Sequence, residues 1–199
     1  MRDSNYWDTL YESGDFRHWE TEYPSPELAS LVATGYLRKG AKVLDVGCGG
    51  GLDAIFLSQY GFKVIAVDFN KSALMIAEKR ASKAGVKIDW RIGSVLDLPI
   101  EKETIDLVTD RGLFHLIEDV DRPKYASELF RVLKLHGSVL IRGGSAKVGR
   151  SRFNPVTEQA IAKYFPRRNF DRGPVVSIPL FSSVGALDSS IVMLRKISK

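Results

Sequence analysis

Short apolar runs alternate along this chain with stretches in which apolar residues return every three or four positions. The runs Lys42–Val46, Phe62–Asp68, Val86–Ile92, Glu103–Thr109 and Ser138–Arg142 read as strands. Leu52–Gln59, with Ile55, Phe56 and Leu57 inward and Gly61 as its stop, reads as a helix, as do Asn70–Ala84, stopped at Gly85, and Arg122–Leu133. An earlier helix opens at Pro24-Ser25-Pro26-Glu27, with Ser25 as N-cap and Pro26 in the first turn. Leu28, Leu31, Val32 and Leu37 form its apolar face and Gly40 its end. Strands alternating with helices predict a doubly wound α/β domain with a mostly parallel sheet. Beyond Gly143 the pattern changes. Thr157–Tyr164 reads as a short helix, and Gly173–Phe181 and Ser189–Ile197 as two antiparallel strands joined near Gly185. The expectation is a seven-stranded sheet closed by a C-terminal hairpin.

Chemistry concentrates where the predicted strands end. The first runs into Asp45 and then Gly47-Cys48-Gly49-Gly50-Gly51, at the start of a helix. Such a loop suits a nucleotide-type ligand. Leu52 stands where a dinucleotide fingerprint needs its third glycine, and the Asp45 carboxylate would repel a pyrophosphate and attract a cationic amine. S-adenosylmethionine, with its sulfonium and α-amino group, is such a ligand. The second strand ends in Asp68, at the spacing at which a carboxylate takes a ribose hydroxyl pair, although capping the next helix would also explain it. Ser94 and Asp110 follow two further runs. Ligands of open α/β sheets bind at the strands' carboxyl ends.

Composition narrows the class. The chain has 199 residues, 44% of them hydrophobic and 27% charged, which fits one ordinary globular domain. No apolar run is long enough to span a bilayer, and Met1-Arg2-Asp3-Ser4 does not open a secretory signal. A single cysteine, Cys48, leaves no internal disulfide and fits a cytoplasmic setting. The net charge of +5 permits nucleic-acid binding without requiring it. Lys147, Arg150, Arg152, Lys163, Arg167, Arg168 and Arg172 form a basic cluster that reads as solvated surface. No metal is expected. Tyr6, Trp7, Tyr11, Phe16, Trp19 and Tyr23 crowd the N-terminus around a helix at Ser4–Glu12 and a loop through Gly14. They would pack on the core, form a lid over a flat ligand, or do both. The single domain thus divides into an aromatic segment (1–24), a ligand-binding core (25–145) and a C-terminal helix and hairpin (146–199).

Val43–Gly51 (VLDVGCGGG), Val64–Asp68 (VIAVD), Gly93–Pro99 (GSVLDLP), Ile105–Arg111 (IDLVTDR) and Leu129–Leu140 (LFRVLKLHGSVL) resemble, in order, the motifs of the seven-stranded S-adenosylmethionine-dependent methyltransferases, whose sheet is Rossmann-like. Within that superfamily two stretches resemble the thiopurine S-methyltransferase and tellurite-resistance group. They are Tyr6-Trp7-Asp8 with Gly14–Glu20, and Asp110-Arg111-Gly112 followed by Asp121-Arg122-Pro123-Lys124-Tyr125. The resemblance implies S-adenosylmethionine as cofactor, S-adenosylhomocysteine as product and a small-molecule acceptor rather than nucleic acid. It implies that Asp45, Gly47, Cys48, Gly49 and Gly51 hold the methionine part, Asp68 and Phe69 the ribose side, and Ser94 and Val95 the adenine, with Trp7 and Trp19 as cover and Asp110 and Arg111 beside the donor. Ser94 replaces an acid usual in relatives, and its hydroxyl accepts more weakly. His136 replaces a proline and is expected to be structurally neutral.

Methyl transfer from a sulfonium is an in-line displacement, so alignment and exclusion of water supply much of the rate. A thiol, with a pKa of roughly 8.5, needs little help to become a thiolate, whereas an alcohol usually needs a base. Arg111 would favour an anionic nucleophile or hold a substrate carboxylate, unless it serves an ion pair with Asp110 or Asp121. His115 is the candidate proton acceptor for an oxygen or nitrogen substrate, with a backbone-bonded structural role as its alternative. The expected reaction is methylation of a thiol or another soft sulfur, selenium or tellurium nucleophile. The acceptor's identity and the oligomeric state stay open.

Overall fold

The structure is a computed structural model that describes residues 4–18, 20, 23–147, 154–182 and 185–199. Strands β1 (Lys42–Val46), β2 (Lys63–Asp68), β3 (Asp89–Ile92), β4 (Ile105–Arg111) and β5 (Leu133–Gly144) are parallel, in the order β3-β2-β1-β4-β5. Strand β8 (Gly185–Lys196) then runs antiparallel to β5 and pairs on its other side with both β6 (Phe170–Arg172) and β7 (Val176–Ser182). The sheet therefore has eight strands in seven positions. Arg172 pairs with Leu194 but Val176 with Ile191, so one extra residue sits between β6 and β7. Pro174, which has no N–H for the ladder, lies in that bulge. This break is why the predicted strand Gly173–Phe181 starts late and gains a separate piece before it.

Successive residues along the central strands feed opposite layers. Val43, Val64, Leu107 and Leu140 pack with Leu28 of α2 (Pro26–Ala33) and Ala54 and Leu57 of α3 (Leu52–Gln59). Leu44, Val46, Val108 and Ile141 pack with Tyr125 and Leu129 of α5 (Arg122–Val132) and Ile161 of α6 (Glu158–Tyr164). Two further helices are α1 (Ser4–Ser13) and α4 (Lys71–Ala84). The result is the Rossmann-like, doubly wound sheet with antiparallel C-terminal strands. Among the described residues no helix is long and apolar enough to cross a membrane.

Several boundaries shift for local reasons. Helix α2 stops at Ala33, well before Gly40: Gly35 at φ +67° donates its N–H to the Val32 carbonyl and Tyr36 donates to Leu31, a left-handed stop. Ser25 stands at the N-cap but its hydroxyl goes to Asp53 instead. Strand β3 begins three residues late, at Asp89, and β4 extends to Arg111, which places Asp110 and Arg111 inside the strand end. Helix α5 runs directly into β5. The buried Lys196 ammonium joins this junction to β8 by donating to the Phe130 and Leu133 carbonyls, 2.9 Å each.

His136 is not neutral. Ile105 pairs with Leu133 and Leu107 with Ser138, so residues 134–137 bulge out of β5, and His136 takes φ +67°. Proline, locked near −65°, cannot adopt that angle. The turn here is thus built differently from the proline turn of the families the sequence resembles. Left-handed backbone costs a β-carbon roughly 1–2 kcal/mol, more than glycine loses in chain entropy. His136→Gly is therefore expected to raise stability by about 0.5–1 kcal/mol in urea denaturation.

Candidate active site

The glycine loop joins β1 to α3 and is folded by its own amides. Gly47 and Cys48 donate to the Val67 carbonyl at 2.8 and 3.2 Å, Gly49 donates to Asp68 Oδ2 at 2.9 Å, and Gly51 donates to the Cys48 carbonyl at 2.9 Å. Gly51 sits at φ +76°, and a β-carbon there would lie 2.6 Å from the Trp90 ring and 2.8 Å from Ala77. The loop is glycine-rich because α4 and β3 press against it. Cys48 is partly buried, and burial raises its thiol, with Asp45 and Asp68 adding to the shift. It is not poised as a nucleophile.

Asp45 is 3% exposed at the end of β1. Among the described residues no donor bonds its carboxylate. Burial raises its pKa well above the usual carboxylate range, Asp53 raises it further, Arg111 opposes, and Asp68 and Asp110 add smaller increments. A buried carboxylate among like charges and without donors is costly, and a cationic amine relieves both faults.

Asp68 is also buried, and burial raises its pKa against the bonds from the Asn70, Gly49 and Phe69 amides. Asn70, not Asp68, caps α4, by accepting from the Ala73 N–H at 2.8 Å. Asp68 accepts the Asn70 and Gly49 amides at 2.9 Å, one on each oxygen, which leaves lone pairs for hydroxyl donors. Phe69 is partly buried beside it. Ser94 is exposed, its hydroxyl accepting the Leu96 N–H at 3.1 Å, and Val95 is buried behind it.

Arg111 pairs with neither Asp110 nor Asp121. Its Nε lies 3.3 Å from Asp53 Oδ2. Asp53 also accepts the Ser25 N–H at 2.9 Å and the Ser25 hydroxyl at 2.7 Å. Register places Arg142 on β5 directly beside Arg111, and Arg142 is bound to Glu27 at 2.6 Å. Two guanidiniums and their two carboxylates therefore flank Asp45 on the α2–α3 side of the sheet.

Two predicted site residues are engaged within the chain. Asp110 accepts the Leu113 and Phe114 amides and, at 2.6 Å, the Tyr125 hydroxyl. Burial nevertheless lifts its pKa to about 6. It holds the turn after β4. His115 accepts the Gly144 N–H on Nδ1 at 2.8 Å, so its other nitrogen carries the proton. Burial and then the Arg122 charge lower its pKa to about 4. Folded His115 thus stays neutral where an unfolded histidine, near 6.5, takes up a proton, so its stabilising contribution is lost as pH falls from 6.5 towards 4. Relative to His115→Gln, the wild type is expected to lose about 2 kcal/mol between pH 7 and pH 5 in paired urea titrations.

The N-terminal segment lies over the loop. Asp8 of α1 accepts the Asn70 amide at 2.8 Å. Glu20 holds Arg80 of α4 through two bonds of 2.7 Å, and Arg80 donates to the Gly50 carbonyl at 3.0 Å. Tyr11 stacks on Phe16, centroids 5.0 Å apart at 27°, and a β-carbon at Gly49 would lie 2.6 Å from its hydroxyl. Trp7 is partly buried, edge-on to Tyr6. Trp19, Arg150 and Arg152 lie outside the described residues. Sequence reasoning placed Tyr11 among the core or lid aromatics and Asp8 and Glu20 in the N-terminal motif without assigning them contacts, and it gave Asp53 and Arg80 no role. Asp8 and Tyr11 are three apart on a helix, a spacing that puts both on one face; the others come together only in space.

The family model described as "Methyltransferase domain" matches residues 43–137, the stretch that holds the loop and four of the strand ends. A ubiquinone biosynthesis O-methyltransferase of Xanthomonas euvesicatoria is 33% identical over 111 residues, covering 52% of this chain and 46% of that protein. A protein of the same name from Xanthomonas oryzae is 29% identical over 160 residues, covering 76% and 66%. The chain spans about half the length of the first of these relatives. Among solved structures, the 1,6-didemethyltoxoflavin-N1-methyltransferase of Burkholderia thailandensis, with S-adenosylhomocysteine bound, superposes with a TM-score of 0.78 at 21% identity, covering 98% of this chain and 87% of that one. A protein solved in work on converting a disulfide bond into a thioacetal group during echinomycin biosynthesis gives 0.77 at 22%, covering 90% and 84%. The fold is that of the S-adenosylmethionine-dependent methyltransferases.

Proposed function

We propose that this chain, on that fold, uses S-adenosylmethionine to methylate a small molecule, with a thiol or another soft sulfur, selenium or tellurium centre as acceptor. The observation that carries the cofactor assignment is Asp45, a buried carboxylate with no donor among the described residues. An α-ammonium group supplies its missing partner. Asp68 would accept the ribose hydroxyls beside Phe69, Ser94 and Val95 would border the adenine, and Trp7 and Trp19 would belong to the cover. The bound cofactor supplies a methyl group already activated on a sulfonium. The residues of this chain bind it, align the acceptor and exclude water.

The soft acceptor is supported by the chemistry of the side chains. Asp110 and His115 Nδ1 already accept hydrogen bonds within the chain, which commits both of these candidate bases to internal partners. An acceptor that ionises unaided fits such a site. Arg111, at the end of β4, would lower the pKa of an approaching thiol or anchor an anionic acceptor. The aromatic N-terminus and the Asp110–Tyr125 bond, which closes the block Asp110-Arg111-Gly112…Arg122–Tyr125 on itself, support placement near the thiopurine and tellurite-resistance group. The acceptor would be met in the cytoplasm, consistent with the single unpaired Cys48.

Transfer to oxygen is the second reading, favoured by the names of the Xanthomonas relatives. Methyl transfer from labelled S-adenosylmethionine to a panel of thiols, selenite, tellurite, catechols and amines distinguishes the two. Turnover confined to soft acceptors, with a pH profile that follows the acceptor's own pKa, is expected. Turnover of catechols alone would replace the soft-acceptor reading with the second.

A further inference from the structure

We infer that Tyr11 is a cofactor-binding residue whose hydroxyl donates to the α-carboxylate of the methionine moiety; this rests on the methyl-donor reading above. An α-amino acid group needs an acceptor for its ammonium and donors for its carboxylate. Asp45 is the acceptor. The usual source of donors, the amides of the glycine loop, is mostly committed elsewhere: of its five N–H groups, those of Gly47, Cys48, Gly49 and Gly51 bond to Val67, Asp68 and Cys48, which leaves that of Gly50. Ribose hydroxyls are themselves donors and are met by Asp68. The ligand's carboxylate is thus the group that the loop leaves short of donors.

Tyr11 answers that need. Its ring is fixed against Phe16, and α1 is fixed to the start of α4 by the Asp8–Asn70 bond. Its hydroxyl reaches across Gly49, at φ +51°, to a point where any larger residue in the loop would collide with it. Among the described residues that hydroxyl has no hydrogen-bond partner. Burial, then the charges of Asp68 and Glu20, push its pKa upward, so it is a neutral donor at neutral pH. A partly buried phenol with no hydrogen-bond partner among the described residues, held over a loop four of whose five amides are engaged, is set to donate to an anion.

Calorimetry with two ligands tests this. S-adenosylhomocysteine carries the amino-acid part, and 5′-methylthioadenosine lacks it. Tyr11→Phe keeps the stack on Phe16 and removes one oxygen. It is expected to weaken S-adenosylhomocysteine about tenfold and to change 5′-methylthioadenosine less than about twofold. Tyr36→Phe, which removes a hydroxyl bonded to Ser138, serves as control and is expected to change neither. Equal weakening of both ligands, or no weakening of either by Tyr11→Phe, would overturn the assignment while leaving the methyl-donor reading intact. A wild type that binds neither ligand would overturn that reading and the Tyr11 assignment with it.

Discussion

Asp45→Asn is expected to weaken S-adenosylhomocysteine binding by about 100-fold or more and, in the same protein, to raise the stability of the unliganded fold by about 1–2 kcal/mol. The two effects share a cause. Asp45 is almost wholly buried, has no donor among the described residues and lies near Asp53, so its charge is a liability to the fold until a cation arrives. Its carboxyl titrates well above its unfolded value. The folded chain therefore holds a proton that the unfolded chain has released, and wild-type stability falls as pH rises through that range. Asparagine removes this dependence. Urea denaturation at two pH values, paired with calorimetry, checks both parts. A variant less stable than wild type at neutral pH would show that Asp45 has a structural partner, and unchanged affinity would remove it from the ligand site.

Arg122→Leu is expected to cost about 3–5 kcal/mol. This side chain is 2% exposed. It donates to the carbonyls of Ile117, Phe114 and Asn154 at 3.1, 3.0 and 2.8 Å and stacks 4.1 Å over the Phe114 ring. It therefore ties the turn after β4 to residues near α6 on the same side of the sheet. Leucine leaves the carbonyls of the buried Phe114 and Ile117 and of the exposed Asn154 without that donor. Arg122→Lys recovers only part of the loss, because an ammonium cannot reproduce the guanidinium fork. A lowered urea midpoint with an unchanged slope is the expected result. A loss below about 1 kcal/mol would mean that water replaces the guanidinium at those carbonyls.

Arg122 also shows what the sequence could and could not disclose. The residues of the block Asp110-Arg111-Gly112…Arg122–Tyr125 were visible as a pattern, but the pattern does not say which of them face a ligand. Asp110 and Tyr125 bond each other, Arg122 braces a turn, and only Arg111 lies with Asp53 on the Asp45 side. Strand ends were legible because apolar runs and glycine stops are local signals: α3 was placed to the residue. Where long-range contacts decide, the sequence was silent. The bulge at residues 134–137 depends on β4 pairing, and Ser25, read correctly as an N-cap position, gives its hydroxyl to Asp53, 28 residues away. The loop was legible as a ligand cradle. That the Gly47, Cys48 and Gly49 amides are spent on Val67 and Asp68 became visible only once β2 stood beside the loop.

The claim on which the rest depends is that the site made by Asp45, the Gly47–Gly51 loop and Asp68 takes an adenosyl amino acid. Titration of the wild-type chain with S-adenosylhomocysteine in a calorimeter tests it most directly. Saturable binding of one ligand per chain, lost on Asp45→Asn, is the result predicted. No heat of binding at millimolar ligand, from a chain shown to be folded, would contradict it.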